Sequence, residues 1–439
     1  MQISTLLIFI TYQIIQLAAL PILPIYLLIR KIKKKPVFGN LQERIGFVPK
    51  NKSKKKTVWL HAVSVGEILS IQNLIDQIKK KLPDHYCYVT TGTIAGKSIA
   101  QKNLNCDQIS FLPYDFLLPI FLAFKRIKPN SLIIIEAETW PNLLFVANWL
   151  KIPIYMINAR ISTRSKKKYF TFKFLFKNLL EKFDLILTQS EQDTQNFESL
   201  GISDQKIETL GNIKALNVLI KKEKIKPETT IKSYPTLLIG SIHPGELNIY
   251  IDLYKQLKIN FPSLKIIIAP RHFHWKQELL SKIKSTKFPF YLWDNEPNLK
   301  NEPADSYIDL TNKIFETNDI LLVCKLGELF NLYQTSDIFF LGGTFIPVGG
   351  HNLLEPAVWA KPSIIGPYYH NCNDITNKLC QINGIIKVKN KIELYDQTKN
   401  LLFNQTRCLN IGNNSFSWLQ NEAIQVNEKI KQLIKTISK

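Results

Sequence analysis

The sequence has few of the residues that mark several protein classes. Glycine and proline contribute only 17 and 22 of the 439 residues. This share is below ordinary usage, so collagen-like and low-complexity chains are excluded. The hydrophobic fraction of 45% excludes a wholly disordered chain. A chain of this length can form two or three domains with sizeable cores.

Cysteine is scarce, and acidic residues are outnumbered. The six cysteines form no CxxC pair and no dense framework, which favours reduced thiols in a cytosolic compartment over disulfides or a zinc site. The 57 Lys and Arg residues exceed the 35 Asp and Glu residues, and the formal net charge is +22. This surplus favours an anionic partner, which is nucleic acid, an acidic membrane surface or a phosphorylated substrate.

Charged residues are absent from the first 29 positions, and a basic cluster from Arg30 to Lys35 follows at once. As a helix, residues 3–20 would reach about 27 Å, close to the ~30 Å hydrocarbon core of a bilayer. The charges follow the apolar run, which favours an uncleaved anchor over a cleaved signal peptide. By the positive-inside tendency, we expect the rest of the chain to stay in the cytoplasm. Two alternatives stay open: a buried N-terminal helix of the globular part, and a monotopic, partly inserted helix.

The remaining chain alternates short β-branched and aromatic runs with helix-period stretches, a pattern typical of βαβ units and parallel sheets. We predict strands at 57–63, 86–91, 109–114, 132–135, 154–158 and 185–188 in the first half, and at 236–240, 264–269, 320–324, 338–341 and 363–365 in the second. The pattern predicts two doubly wound α/β domains facing each other across a cleft. We place the boundaries at 1–35 for the anchor and its basic flank, 36–215 and 235–412 for the domains, 216–234 for an exposed linker and 413–439 for a closing helix.

Three acids follow predicted strands of the first half, where open α/β sheets bind ligands. Glu67 lies after a turn at 64–66, near the start of a helix. It acts either as a general base or as a first-turn residue that complements the helix dipole, and its spacing favours neither role. Glu136 and Glu138 point the same way if their strand continues; alternatively, one of them caps the helix that has Pro141 in its first turn. Lys214 follows a glycine turn, where a solvated lysine is the default in so basic a chain.

The second half has a candidate anion site. Arg271 follows a predicted strand, and its planar guanidinium suits a phosphate or a carboxylate. Two double glycines, at 342–343 and 349–350, flank a loop, and the second opens a helix with Asn352 and Glu355 in its first turn. Such a loop admits an anion to backbone N–H groups, the helix start adds partial positive charge, and Glu355 could hold ribose hydroxyls. The pattern is neither GxGxxG nor a P-loop. The histidines at 272 and 274 lack a third ligand at a recognisable spacing, so we expect no metal site.

Together these motifs resemble the Kdo transferases, glycosyltransferase family 30. These membrane-associated enzymes move 3-deoxy-D-manno-octulosonic acid (Kdo) from CMP-Kdo to the lipid A precursor in lipopolysaccharide biosynthesis. The resemblance covers about three quarters of the chain, from residue 43 to about 367, through ERIGF, LHAVSVGE, TTGT, LPYD, EAETWPN, NARIS, GNIK, APRH, LGEL and GGHNLLEP. It implies the GT-B fold, with two Rossmann-like domains, the acceptor on the first and the donor nucleotide on the second.

The resemblance also implies roles for individual residues. Glu67 matches the general base of an inverting transfer, and Glu136 and Lys214 match transition-state stabilisers. The contacts to CMP match Pro270, Arg271, Leu326, Gly327, Glu328, Asn352, Leu353, Leu354 and Glu355. Three motifs depart from the family: EAETWP replaces ETELWP, LGE replaces MGE, and FIPVGGHN lacks the usual acidic residue before GGHN.

The implied partners are CMP-Kdo, the lipid A precursor lipid IVA and anionic lipid at the cytoplasmic side of the bacterial inner membrane, with no metal or other cofactor and no nucleic acid. One alternative is another membrane-associated GT-B transferase that uses a UDP-sugar. The other is a membrane-tethered basic nucleic-acid-binding protein, which only the charge favours because the chain has no zinc-finger, RNP or basic-zipper pattern.

Overall fold

The computed structural model describes residues 3–19, 21, 29, 39–161, 163–225, 232–294 and 306–438. The chain divides into two compact units: the first comprises Met1–Asn217 and Ala423–Lys439, and the second comprises Val218–Glu422. The basic cluster expected to flank the anchor, Arg30 to Lys35, and the middle of the expected linker, 226–231, lie outside the described residues.

Each unit contains one seven-stranded parallel sheet. The first unit has β1 Lys56–His61, β2 His85–Thr91, β3 Gln108–Phe111, β4 Ser131–Ile135, β5 Ile154–Ala159, β6 Leu185–Thr188 and β7 Ile207–Thr209. The second has β8 Thr236–Ile242, β9 Lys265–Pro270, β10 Phe290–Trp293, β11 Ile320–Val323, β12 Ile338–Leu341, β13 Ser363–Ile365 and β14 Ile385–Lys387. The strand orders are β3-β2-β1-β4-β5-β6-β7 and β10-β11-β9-β8-β12-β13-β14.

Helices connect these strands. The first half of the chain has α1 Ile3–Ala19, α2 Leu41–Arg44, α3 Val65–Ser70, α4 Gln72–Lys81, α5 Ile94–Asn103, α6 Leu117–Ile127, α7 Pro141–Trp149, α8 Thr163–Thr171, α9 Lys173–Leu180, α10 Glu191–Ser199 and α11 Ile213–Glu223. The second has α12 Leu247–Asn260, α13 Lys276–Ser285, α14 Tyr307–Phe315, α15 Leu329–Leu332, α16 Leu354–Val358, α17 Asn373–Gln381, α18 Lys391–Phe403 and α19 Gln405–Ser438. Short 3₁₀ turns lie at Asp204–Lys206, Phe273–Trp275 and Tyr333–Thr335.

Both faces of the second sheet are covered, which explains its continuous apolar strands. Successive side chains of a strand point to opposite faces. In β8, Leu237 and Ile239 join one buried hydrophobic cluster while Leu238 joins another. In β9, Ile266 and Ile268 pack on the first of these clusters, and Ile267 packs on the second. Each central strand therefore contributes apolar residues to two cores at once.

The structure confirms the two parallel α/β sheets and every predicted strand, with small changes at the ends. The sequence analysis missed β7, β10 and β14, which all lie at sheet edges. Edge strands are covered less completely than central ones, so they need no continuous apolar run. The three strands are short and only partly buried.

Two boundaries differ from those we predicted. The linker expected from residue 216 is helical as far as Glu223, and both Leu216 and Val218 are buried in α11. The closing helix begins at Gln405 rather than at 413, and its residues 423–438 belong to the first unit. The periodic apolar residues of α19, among them Leu419 and Ile430, are fully buried.

Among the described residues, no helix combines the length and the apolar character needed to cross a bilayer. The helix expected as an anchor, α1, packs on the first unit instead. The Tyr12 hydroxyl donates to Asp115 Oδ2 at 3.0 Å, Gln13 Nε2 donates to Asn142 Oδ1 at 2.6 Å, and Gln16 Nε2 donates to the Asp115 carbonyl at 2.6 Å. These contacts agree with a helix of the globular part, and its remaining face is apolar and exposed: Leu6, Leu7, Ile10, Ile14, Ile15 and Leu17.

The bond between Tyr12 and Asp115 gives a stability prediction. In Tyr12→Phe, the buried Asp115 carboxylate loses one of its donors, and we expect the free energy of unfolding to fall by about 1–3 kcal/mol. Thr11→Ala, at the exposed neighbouring position, should change it by no more than about 0.5 kcal/mol. Urea unfolding measures both values. Equal effects of the two variants would contradict a docked α1.

Candidate active site

The first unit has a switch point between β1 and β4. These strands are adjacent and parallel, but the sheet continues from β1 to β2 on one side and from β4 to β5 on the other. Loops that leave neighbouring strands at such a point separate and make room for a ligand. The loop after β1 leads to Glu67, and the loop after β4 contains Glu136 and Glu138. The predicted acids therefore lie at one edge of the sheet.

Glu67 is the third residue of α3, and its carboxylate closes a capping box with Ser64. Glu67 Oε1 accepts hydrogen bonds from the Ser64 N–H at 3.3 Å and from Ser64 Oγ at 2.6 Å, and Oε2 accepts one from the Val63 N–H at 2.7 Å. The residue is only 7% exposed. The interpretation of Glu67 as a helix-end residue is confirmed, and its role as a general base stays a prediction.

Glu136 lies immediately after β4 in a left-handed conformation, with φ at 60°. The predicted end of this strand at Ile135 is confirmed, and the left-handed Glu136 shows that the strand does not continue to Glu138, so the condition under which the two acids would point the same way is not met. A non-glycine residue in this region costs about 1–3 kcal/mol, and such strain is often found at functional sites. Burial and the Glu67 carboxylate raise the pKa of Glu136, while Lys214 and Arg160 lower it.

Glu138 has the more strongly shifted carboxyl group. Burial and the neighbouring carboxylates Glu67 and Glu136 raise its pKa to about 7, while a hydrogen bond from the Trp140 side chain opposes the shift. Helix α7 begins at Pro141, and its N-cap is Trp140, which makes no side-chain capping bond. The alternative that Glu136 or Glu138 caps this helix is therefore wrong.

Two cations accompany the acids. Lys214 is exposed in the first turn of α11, and its backbone N–H donates to Asn212 Oδ1 at 3.0 Å. Arg160 follows β5, the neighbour of β4. Both interact electrostatically with Glu136, so the structure brings together the predicted residues Glu67, Glu136 and Lys214. The sequence analysis assigned no role to Arg160, although its position after a strand was a usable signal.

The second unit has its switch point between β8 and β12. Pro270 ends β9, the neighbour of β8, and is buried, whereas Arg271 is exposed. The Arg271 N–H donates to the Ile242 carbonyl at 3.0 Å, so the backbone is fixed at the edge of the sheet while the side chain stays accessible. The structure therefore places Arg271 where the sequence predicted it.

A buried carboxylate that the sequence analysis missed holds the glycine loop. Glu246 is fully buried, and its two oxygens accept the N–H groups of Gly343 at 2.7 Å, Phe345 at 3.0 Å, and His243 and Thr344 both at 3.1 Å. The N–H groups of Gly349 and Gly350 donate to the Gly343 carbonyl. Most of the loop's N–H groups are thus already used, contrary to our expectation that they would bind an anion. The run HPGE after a strand was the only signal for Glu246.

The predicted nucleotide contacts at 326–328 lie just after β11. Leu326 is 82% exposed, and Gly327 has a φ of 92°, which only glycine adopts without strain. Glu328 accepts a hydrogen bond from the Tyr307 hydroxyl at 2.5 Å and pairs with Lys325 at 3.1 Å. The Glu328 carboxylate is therefore held in place from two sides.

The predicted contacts at 352–355 surround the start of α16. This helix begins at Leu354 and has five residues, so Asn352 precedes it, and the expected contribution of a helix dipole is small. Asn352 Oδ1 accepts the Leu354 N–H at 3.0 Å. Leu353 and Leu354 are both buried. Burial raises the pKa of Glu355, opposed by Lys221, Asn352 and Arg271.

Three histidines gather beside Arg271. His243 Nε2 and His351 Nε2 lie 2.8 Å apart, and the rings of His243 and His272 are 6.0 Å apart. Burial and Arg271 lower the pKa of His351 to about 4. Across the described ranges, no three His, Cys, Asp or Glu side chains are grouped as they would be around a metal ion.

The chain is similar in sequence to several known proteins. Residues 39–217 match the family described as 3-deoxy-D-manno-octulosonic-acid transferase (kdotransferase). The chain is 30% identical over 359 residues to a 3-deoxy-D-manno-octulosonic acid transferase of Aquifex aeolicus, covering 81% of this chain and 89% of the relative. It is also 31% identical over 361 residues to a bifunctional glycosyltransferase/methyltransferase of Fusobacterium nucleatum, covering 78% of this chain but only 53% of that longer protein.

A solved structure supports the fold alone. UDP-GlcNAc 2-epimerase from Neisseria meningitidis matches with a TM-score of 0.59 at 13% identity, covering 86% of this chain and all of that one. The likeness therefore extends over both α/β units.

The raised pKa of Glu138 gives a pH-dependent prediction. Its pKa rises on folding from the ordinary 4.5 to about 7, so the folded protein binds a proton that the unfolded chain releases between these values. The wild type should therefore lose stability relative to Glu138→Gln as the pH rises from 4.5 to 7. Denaturant unfolding at pH 5 and pH 8 measures the difference. Glu198→Gln, at an exposed helical position, is the control, and an equal pH effect in both variants would contradict the shift.

Proposed function

The chain belongs to the family of 3-deoxy-D-manno-octulosonic acid transferases, and on this premise we propose that it moves Kdo from CMP-Kdo to the lipid A precursor lipid IVA with inversion. It is a Kdo-transferring glycosyltransferase of lipopolysaccharide biosynthesis. The identity of donor and acceptor, the GT-B arrangement of the domains and the residue roles below belong to the proposal. The observation that carries it is the group of acids and Lys214 at the switch point of the first unit.

The capping role of Glu67 leaves room for a catalytic one. An ionised carboxylate offers about four lone-pair positions. Its known hydrogen bonds use two on Oε1 and one on Oε2. The second position on Oε2 is the one that we assign to the acceptor hydroxyl. The capping bonds then hold the base in a fixed orientation, which a transferred proton requires.

The donor side depends on side chains more than on backbone. The N–H groups of Gly343, Thr344 and Phe345 are bound by Glu246, so they have little to offer a phosphate. We therefore assign the nucleotide phosphate to the exposed guanidinium of Arg271. Glu355 and Asn352 are assigned to the hydroxyl groups of the ribose, and 326–328 to the base.

The proposed reaction is a single displacement. Glu67 takes the proton of a glucosamine hydroxyl as its oxygen attacks the anomeric carbon of Kdo. The bond from this carbon to the CMP phosphate breaks on the opposite face, which inverts the centre and releases CMP. Glu136 and Lys214 stabilise the oxocarbenium-like transition state, and Arg271 stabilises the charge on the leaving phosphate. The scheme gives no step to a metal ion or another cofactor.

We place the protein on the cytoplasmic face of the inner membrane through α1. Its polar face binds the first unit, and its opposite face exposes six large apolar residues, which is typical of a helix lying in the membrane interface. The exposed lysines 52 and 54–56 add attraction to anionic lipid, worth about 1 kcal/mol each near the surface. A monotopic helix is thus the form of anchor that we propose.

Glu67→Gln separates catalysis from capping. Glutamine at the third helical position can still close a capping box but cannot accept the proton, so kcat should fall at least ~100-fold while CMP binding is unchanged. Ser64→Ala is the comparison: it removes the hydroxyl donor but keeps the Val63 and Ser64 backbone donors that orient Glu67, so it should lower the free energy of unfolding by about 1 kcal/mol and reduce kcat far less than Glu67→Gln does. Transfer to lipid IVA, followed by mass spectrometry, measures kcat. Retained turnover in Glu67→Gln would limit Glu67 to capping, and competition by UDP instead of CMP would support a UDP-sugar transferase.

The exposed face of α1 gives a second functional prediction. Ile10→Ser with Ile14→Ser should reduce the fraction of protein that sediments with anionic vesicles at least about threefold, because the variant removes apolar surface from the interface. Activity on detergent-solubilised acceptor should stay near normal. Ile259→Ser, at an 80% exposed position of the second unit, is the control. Unchanged sedimentation of the double variant would contradict membrane docking through this face.

A further inference from the structure

A cavity of about 530 Å³ opens beside the acids of the first unit. It lies at the carboxyl ends of β1, β2 and β3, and its volume is in the range of ~300–1,000 Å³ common for small-molecule sites. Two wall residues connect it to the candidate catalytic acids. Val63 donates its N–H to Glu67 Oε2, and the Trp140 side chain is hydrogen-bonded to Glu138. The cavity wall is therefore one hydrogen bond away from each of these carboxylates.

The contacts of His61 in the cavity wall assign its tautomer. Its Nδ1 lies 3.2 Å from the Thr90 carbonyl, which only accepts, so the proton is assigned to Nδ1. The contacts of the Thr90 hydroxyl are consistent with this assignment. The hydroxyl accepts a hydrogen bond from the Trp59 indole and donates one to the Leu60 carbonyl. Its proton is thus used, so the hydroxyl oxygen, 3.0 Å from Nδ1, is an acceptor for the Nδ1 proton. Burial lowers the pKa of His61 to about 4, which keeps the ring neutral at pH 7. Nε2 is therefore a bare acceptor.

This acceptor has no partner within the described part of the chain, although His61 is fully buried. An unpaired polar atom in the interior is costly and suggests an absent ligand. His61 lines the cavity, and Nε2 is its ring nitrogen without a partner. The missing partner must bring an O–H or N–H donor.

The other wall residues narrow the ligand class. Arg44 contributes a cation whose guanidinium already donates to the carbonyls of Gly92 and Leu112. The carboxyl group of Asp115 and the lone pair of His61 both disfavour phosphate oxygens. Tyr114 and the 37% exposed Trp140 offer aromatic surface. A hydroxylated ring with an apolar face suits this combination better than a phosphate or a nucleotide.

We propose that this cavity holds the hexosamine ring of the acceptor, with a ring hydroxyl or amide N–H donating to His61 Nε2. The proposal rests on the function proposed above and adds the site at which the acceptor sugar is recognised. Asp115 extends the site to the membrane side, because it lines the cavity and accepts the Tyr12 hydroxyl of α1. The sugar is thus bound beside the helix that we assign to the membrane interface.

Kinetics of His61 variants test the hydrogen bond. Asparagine can replace Nδ1 in its bond to Thr90 but does not reach the position of Nε2, whereas glutamine places an amide oxygen there. His61→Asn should raise the acceptor KM about tenfold, the loss expected for one hydrogen bond, and His61→Gln should raise it no more than about threefold. The KM for CMP-Kdo should not change in either variant. If His61 had only a structural role, the KM values of both substrates would change, or the loss of activity would follow the loss of stability.

A second variant keeps the test valid if His61 variants fold poorly. Ala95 is exposed at the cavity mouth on α5, so Ala95→Trp should block the cavity and raise the acceptor KM at least about tenfold without affecting the core. Gln101→Trp, exposed on the same helix outside the cavity lining, is the matched control. The increase in acceptor KM in Ala95→Trp should be equal for acylated and deacylated acceptors, because the cavity is proposed to bind the sugar and not the acyl chains.

The outcomes separate the two proposals. If the wild type transfers Kdo and the acceptor KM is unchanged in His61→Asn and Ala95→Trp, the cavity is not the acceptor site, and the proposed function stands. If the purified wild type transfers no Kdo to lipid IVA, the proposed function fails, and the cavity assignment fails with it. A KM increase limited to acylated acceptor would also overturn the cavity assignment, since it would indicate a lipid contact.

Discussion

In each unit, a carboxylate buried at the switch point of the sheet holds the loops that leave the strands. Glu67 binds the Val63 N–H and both donors of Ser64 in the first unit, and Glu246 binds four backbone N–H groups in the second. A buried charge is tolerated only when hydrogen bonds replace its hydration. Each carboxylate therefore requires its loop to keep one conformation, and the remaining site residues depend on these loops.

This constraint divides the chemistry between side chains and backbone. In the second unit the N–H groups of the glycine loop are bound by Glu246, which is why we assign anion binding to the exposed Arg271. In the first unit the capping bonds orient Glu67 and leave the second lone-pair position on Oε2, which we assign to the acceptor hydroxyl. Burial, and next the nearby Glu67 carboxylate, raise the pKa values of Glu136 and Glu138, and Lys214 and Arg160 partly offset the shift at Glu136. The site is thus a balanced cluster of charges at the edge of a rigid sheet.

Hydrophobic pattern predicted the central strands because both of their faces are covered, as Leu237 to Ile239 show. It missed β7, β10 and β14 because an edge strand needs less apolar surface. Motif and position also predicted Glu67, Glu136, Lys214 and Arg271 as site residues, and their roles stay predictions. Glu246 and His61 escaped because their importance comes from partners distant in sequence: Gly343 is 97 residues from Glu246, and Thr90 is 29 residues from His61. The apolar run at the N-terminus predicted a helix but not its docking, which Tyr12 and Gln16 achieve through Asp115.

The sequence by itself determined the two parallel α/β sheets, the basic character and the residue types at the strand ends, because these follow from local periodicity and composition. Only the tertiary structure decided which donors each carboxylate binds, which N–H groups of the glycine loop are already used, and which nitrogen of His61 lacks a partner. These properties depend on atoms that folding brings within about 3 Å of each other, and hydrogen-bond energies fall steeply beyond that distance. Spacing along the chain does not encode such proximity.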